Sequence, residues 1–302
     1  MGKSLAPHFH DGSGVRHIII HVIIALAPLM VASVIFFGPR ALLLMAFTIT
    51  VVVLAEAVTL LIFRRDLSNL KDLSAVVTGI ILSLSMPANL PFWIAFLAAG
   101  AAIGAKQLSR KVLGFTLLNP VLIGRGAMIV FNPYFEYPMA LAWINTPDAI
   151  ASATPLELLA GGYSLPGFGD LFLGLHAGVM GEVSILLILL GGAYLVWKRV
   201  ICPIAPCVFI ILTVALLAIM GQPPIVHLLS GSLVFAAVFM ATDYSTTPFT
   251  AKGKIVFAVG IAVITAGFRM FGWLTEGVTF ALITMNLFVP FIDKFVVRFE
   301  NR

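Results

Sequence analysis

Long apolar runs separated by short polar clusters recur from one end of the chain to the other. A helix needs about 20 mostly apolar residues to cross the hydrocarbon core of a bilayer. The pattern predicts spans at 16–37, 41–63, 73–86, 92–106, 120–137, 182–197, 201–220, 225–241, 255–272 and 277–297. The third and eighth are short and are stopped by Pro87 and Asp243. Such spans tend to mark backbone that lines a cavity. Segment 171–181 is too short and too glycine-rich to cross, and reads as a re-entrant or surface piece. The expected class is all-α, a polytopic membrane protein of about ten transmembrane helices.

Composition supports this. The 302 residues are 61% hydrophobic and only 10% charged, against about 25% charged in a soluble domain. The first apolar run has no small-residue cleavage site and is followed by further spans, so it reads as a retained helix rather than a signal peptide. The formal charge of +5 belongs to loops facing the cytoplasm, not to a nucleic-acid surface. Cys202 and Cys207 form no metal or disulfide framework.

Charge sets the orientation. With the N-terminus in the cytoplasm, 15 of the 18 Lys and Arg residues fall in inner segments, from Lys3, Arg16 and Lys106 to Arg298 and Arg302. The one long outer segment, about 138–170, holds Asp148, Glu157 and Asp170 and neither Lys nor Arg. Both termini are then cytoplasmic and Thr154 extracytoplasmic. Five spans lie on each side, so the chain divides into a first half (1–137), an outer segment (138–181) and a second half (182–302). Two related halves would have opposite orientations in the membrane. Leu73-Ser74 and Leu229-Ser230, opening the short third and eighth spans, are faint traces of such a repeat.

The outer segment contains Thr154-Pro155-Leu156-Glu157. Thr154 reads as a helix N-cap, Pro155 as the first helical residue and Glu157 as the partner in a capping box. This is either a plain surface cap or, since helix N-termini attract anions, a place for a phosphate. Aromatic residues from Phe131 to Phe168 surround it and suit an interfacial belt or a stacked ring system. Inside spans, ionisable groups are costly and point to function. These are Glu56, Arg125 and Arg269, with Asp243 ending the eighth span in ATDYSTTP. Asp243 reads equally as a polar cap or as part of a site for a cation or a flavin's polar edge. His17 and His21 share a helix face without a third ligand and read as interfacial; His176 and His227 are undecided. No metal site, dinucleotide fingerprint, Walker loop or iron–sulfur cysteine set is present in the sequence.

Five blocks carry a resemblance over nearly the whole chain: 72–87 (DLSAVVTGIILSLSMP), 114–126 (GFTLLNPVLIGRG), 178–184 (GVMGEVS), 241–248 (ATDYSTTP) and 276–293 (EGVTFALITMNLFVPFID). Their order and spacing resemble the family of the Rnf complex D subunit, from the ion-translocating ferredoxin:NAD oxidoreductase. They are also similar to the B subunit of the sodium-pumping NADH:quinone reductase. A longer N-terminal extension, usual in the latter, is missing from this sequence, which favours the former.

The resemblance implies ten helices in two inverted five-helix repeats, similar to urea and ammonium transporters. It implies FMN joined through its phosphate to a threonine in D-x-x-S/T-G-A-T. Asp148, Ala153 and Thr154 match that motif, while Ala151 stands where Ser or Thr is usual and Ser152 where Gly is usual. Relatives also hold a riboflavin, for which Asp243, Thr246, Thr247 and Arg269 are the candidates here. The implied function is an electron-carrying membrane subunit of a complex that couples ferredoxin:NAD electron transfer to Na⁺ or H⁺ movement. It would sit in the bacterial or archaeal cytoplasmic membrane with the complex's A, B, C, E and G subunits, and be matured by a flavin transferase. The NAD and ferredoxin sites would lie on other subunits. The competing reading is a flavin-free transporter or channel of similar fold.

Overall fold

In a bilayer nothing else can pair a bare peptide group, so each apolar run satisfies its own N–H and C=O groups as a helix. A computed structural model describes residues 15–131, 137–141, 151–182, 184–271 and 277–300. The first half runs α1 (Val15–Phe37), α2 (Pro39–Ile62), a 3₁₀ helix (Leu67–Asp72), α3 (Ser74–Leu84), α4 (Phe92–Val112) and α5 (Pro120–Phe131). Two short antiparallel strands follow, β1 (Tyr137–Pro138) and β2 (Ala151–Ser152), then α6 (Pro155–Ala160) and α7 (Phe168–Leu173). The second half runs α8 (Ile185–Trp197), α9 (Ile204–Ile219), α10 (Pro224–Leu229), α11 (Leu233–Phe239), α12 (Ala251–Met270) and α13 (Gly277–Glu300). Five of these, α1, α2, α4, α12 and α13, are long and apolar enough to cross a membrane.

The differences from the sequence reading have local causes. The predicted eighth span is split, because Ser230 is extended (ψ 147°) and Gly231 has φ +69°. A helix readily stops at a residue in that left-handed region. Leu229-Ser230 therefore ends α10 rather than opening a span. The predicted fourth span continues past Lys106 to Val112, carrying Lys106 inside the helix. The fifth is helical over Pro120–Phe131 and does not include Tyr137, which pairs in β1; 132–136 lie outside the described residues. At the loop before α3, Asp66 accepts from Ser68 N at 2.9 Å, and this bond holds its carboxyl below the usual carboxylate pKa.

In the first half α2 packs on α3 and α4, α4 on α5, and α3 against α1 and α5. In the second half α9 packs on α10, α11 and α12, α12 on α13, and α11 against α8 and α13. The halves meet along α1–α8 and α5–α13. Small residues allow the closest approaches, as is usual between membrane helices. Ala95, Ala98, Ala99 and Ala102 form a fully buried stripe on α4. A Cβ at Gly124 of α5 would lie 2.8 Å from the Ala98 carbonyl, and one at Gly191 of α8 would lie 2.8 Å from that of Ala25.

The short α3 ends against segment 179–182, part of the piece expected to be re-entrant or superficial. Its backbone takes up the free end of the helix: Met180 N donates to Met86 O (3.1 Å) and Gly181 N to Leu84 O (2.7 Å). Ser33 Oγ of α1 donates to Met180 O at 2.8 Å, tying the junction to the first helix.

Candidate functional site

Thr154 is delivered by β2, whose register on β1 pairs Tyr137 with Ser152 and Pro138 with Ala151. The chain then turns into α6 with Thr154 as its N-cap and Pro155 as its first residue. The capping box forms as the sequence predicts. Glu157 N donates to Thr154 Oγ1 (3.3 Å), and Glu157 Oε2 accepts from Thr154 N (2.7 Å) and from Thr154 Oγ1 (3.0 Å). Thr154 is nevertheless 8% exposed, unlike an ordinary surface cap. Ala153 is exposed. Asp148 lies outside the described residues, as does the Ser152 side chain.

A cavity of about 30 Å³ lies against Thr154, walled by Arg125, Tyr137, His176, Glu182 and Gly231 among others. It has room for a group of a few atoms and not for a fused ring system. Arg125 Nη1 and Glu182 Oε1 form an ion pair, both residues buried. On the far side of Gly231, Arg269 Nη1 donates to His227 O (2.6 Å) and Arg269 Nη2 to Ser230 O (3.2 Å). These bonds satisfy the last carbonyls of α10. Elements far apart in sequence thus converge on Thr154: α5, the 176–182 segment and, through Gly231, the α10–α11 break.

Of the four residues expected to make a second site, the structure brings three together. Asp243 Oδ2 accepts from Thr246 Oγ1 (3.1 Å) and Asn119 Nδ2 (3.3 Å), and Thr247 Oγ1 donates to Asp243 O (2.8 Å). Asn286 closes the knot, accepting from Asn119 N (3.2 Å) and donating to Thr246 O (3.0 Å). Asp243, Asn119, Lys106 and Thr78 wall a cavity of about 170 Å³ at this end. Arg269 does not belong to this group. It sits in the last turn of α12, about 27 Å along the helix from the first residue, Ala251, at 1.5 Å per residue, whereas Asp243 precedes that helix. Its place is at the α10–α11 break.

Glu56, a lone mid-span carboxylate in the sequence, has partners in the fold. Glu56 Oε1 pairs with Lys106 Nζ at 3.0 Å and accepts from Gln107 Nε2 at 2.8 Å, all three buried. Lys106, which the charge pattern assigns to an inner segment, belongs to the core instead. His21 Nδ1 contacts Tyr194 Oη at 2.7 Å, and no metal-binding group appears among the described residues.

Five long apolar helices, shorter apolar helices packed among them and buried charged side chains define a polytopic helical membrane protein with an enclosed polar site. Residues 3–300 match the NQR2, RnfD, RnfE family, and the chain belongs to it. It is 37% identical over 297 residues to the D subunit of the Na⁺-translocating ferredoxin:NAD⁺ oxidoreductase complex of Acetobacterium woodii, covering 97% of this chain and 92% of that one. It is 35% identical to the D subunit of the proton-translocating ferredoxin:NAD⁺ oxidoreductase complex of Clostridium ljungdahlii, covering 99% and 96%. The D subunit of the ion-translocating oxidoreductase complex of Stutzerimonas stutzeri is 32% identical, with 93% and 90% covered.

Proposed function

We propose that this chain is the D subunit of an ion-translocating ferredoxin:NAD⁺ oxidoreductase complex and carries FMN joined through its phosphate to Thr154. The observation that carries the reading is the burial of the Thr154 hydroxyl against a cavity walled by Arg125 and Glu182. A surface cap needs neither the enclosure nor the charge. Glu157 Oε2 accepts the Oγ1 proton and would orient the hydroxyl through which the phosphate is joined. The cavity suits the phosphate, and the flavin ring would lie outside it. Bound flavin supplies electron exchange in one- and two-electron steps; the protein supplies position, enclosure and fixed charge.

The matching helix contacts of the two halves support ten crossings in two inverted five-helix repeats, with α10 and α11 as one broken crossing. The basic inner segments support cytoplasmic termini and an extracytoplasmic Thr154. Asp243, Thr246 and Thr247 beside the 170 Å³ cavity are the candidates for riboflavin. The other subunits of the complex would hold the ferredoxin and NAD sites. Of the relatives, one is named for Na⁺ and another for protons.

The test is Thr154→Ala in the assembled complex, read as reduced-ferredoxin-dependent NAD⁺ reduction by inverted vesicles. Loss of the reaction with the complex still assembled is the expected result. Unchanged electron transfer would favour the flavin-free transporter reading.

A further inference from the structure

Among the described residues two ion pairs are buried, Glu56 with Lys106 and Arg125 with Glu182. Arg269 is a third buried cation, 2% exposed, and no carboxylate oxygen of a described residue comes within 4.0 Å of it. Its bonds to the His227 and Ser230 carbonyls do ordinary structural duty at the end of a broken helix. They leave it with no described carboxylate in ion-pair range, and its Nε has no partner among the described residues. Ser230 Oγ, Ser232 Oγ and His227 Nε2 beside it are equally unpartnered, in residues at most 1% exposed. A bare charge and open hydrogen-bonding atoms at such depth are costly unless something compensates them.

The location of this charge identifies what would do so. Gly231, which walls the Thr154 cavity, has no side chain to close it off from Arg269. A Cβ there would lie 3.0 Å from Leu156 Cδ1 and 3.4 Å from Arg269 Nη2. Among the described residues Arg125 pairs with Glu182 and Glu157 bonds Thr154 itself, which leaves Arg269, just beyond Gly231, as the buried cation outside any described ion pair. A phosphate esterified to both a threonine and a flavin side chain carries one negative charge. We propose that Arg269 is the counter-ion of a phosphate held at Thr154. Resting on the function proposed above, this is the phosphate that joins the flavin.

The test uses the complex purified with and without co-expressed flavin transferase, its flavin load read by mass. Stability is followed as thermal midpoint, with inorganic phosphate titrated against chloride at constant ionic strength. Without flavin, phosphate should raise the midpoint saturably, as any ligand of the folded state does. Loaded complex should show no such rise, because the ester fills the site. Loading itself should raise the midpoint, and Arg269→Gln should remove most of that gain and the phosphate response, whereas Arg269→Lys keeps at least half. If Arg269→Gln does not accumulate, the wild-type phosphate titration decides alone. The proposal is overturned if the flavin-free wild type shows no saturable response, or if Arg269→Gln responds to phosphate and to loading as the wild type does. Absence of added mass on the wild type, with a phosphate response intact, would sink the flavin reading and leave the anion site standing.

Discussion

At the scale of single residues, the polar groups inside this protein are held by partners from other helices. Glu56 and Lys106 show what that requires. Each is buried, and either one alone is an uncompensated charge in a membrane core. Lys106→Met should cost about 3–5 kcal/mol, read as a large fall in the thermal midpoint of the purified complex. Combining it with Glu56→Met should recover most of the loss, because the pair is then replaced by apolar volume. A double variant no better than the single would show that the pair is not the source of the effect. The capping box is legible in the sequence because its residues are local: Thr, Pro and Glu at fixed spacing act within one turn. Arg125 and Arg269 stand out as charges within or near the ends of apolar runs. Their partners are not legible, since Glu182 lies 57 residues from Arg125 and His227 lies 42 from Arg269. A useful signal does exist: a buried carboxylate such as Glu56 requires a cation, and Lys106 is available if its helix runs on.

At the scale of elements, hydrophobic runs show where helices lie but not where they break. The break at 230–232 is written in Ser-Gly-Ser, a polar interruption too short to divide an apolar run by eye. The end of α3 is readable, because Pro87 marks it. Close packing of α4 on α5 depends on the absence of a side chain at Gly124, where a Cβ would meet both the Ala98 carbonyl and Leu82 Cδ1 at under 3 Å. Gly124→Val should therefore destabilise by about 1–3 kcal/mol through overpacking. Gly100→Ala, on an exposed face of α4 with nothing within 4 Å, should be neutral or stabilising by up to about 1 kcal/mol. Thermal midpoints of the two variants measure the contrast, and equal midpoints would mean that the helices do not approach as described.

At the scale of the whole molecule, the two halves repeat a set of helix contacts around a shared seam. The Asn119–Asp243–Asn286 knot fastens them at one end, and the Thr154 cavity joins them at the other. The proposed orientation puts these ends on opposite sides of the membrane. In a background lacking Cys202 and Cys207, Ser164→Cys should react with a membrane-impermeant maleimide in intact cells. Ser68→Cys should react only after the membrane is opened. Both side chains are exposed, so access alone decides. The opposite pattern would invert the topology and place Thr154 in the cytoplasm. The central claim is the covalent flavin, and peptide mass spectrometry tests it most directly. The chain is purified from membranes after co-expression with an active flavin transferase, and the peptide containing Thr154 is weighed beside that of Thr154→Ala. The account predicts an added mass of FMN less one water on the wild-type peptide alone. An unmodified wild-type peptide, with the same transferase labelling a known substrate, would contradict it.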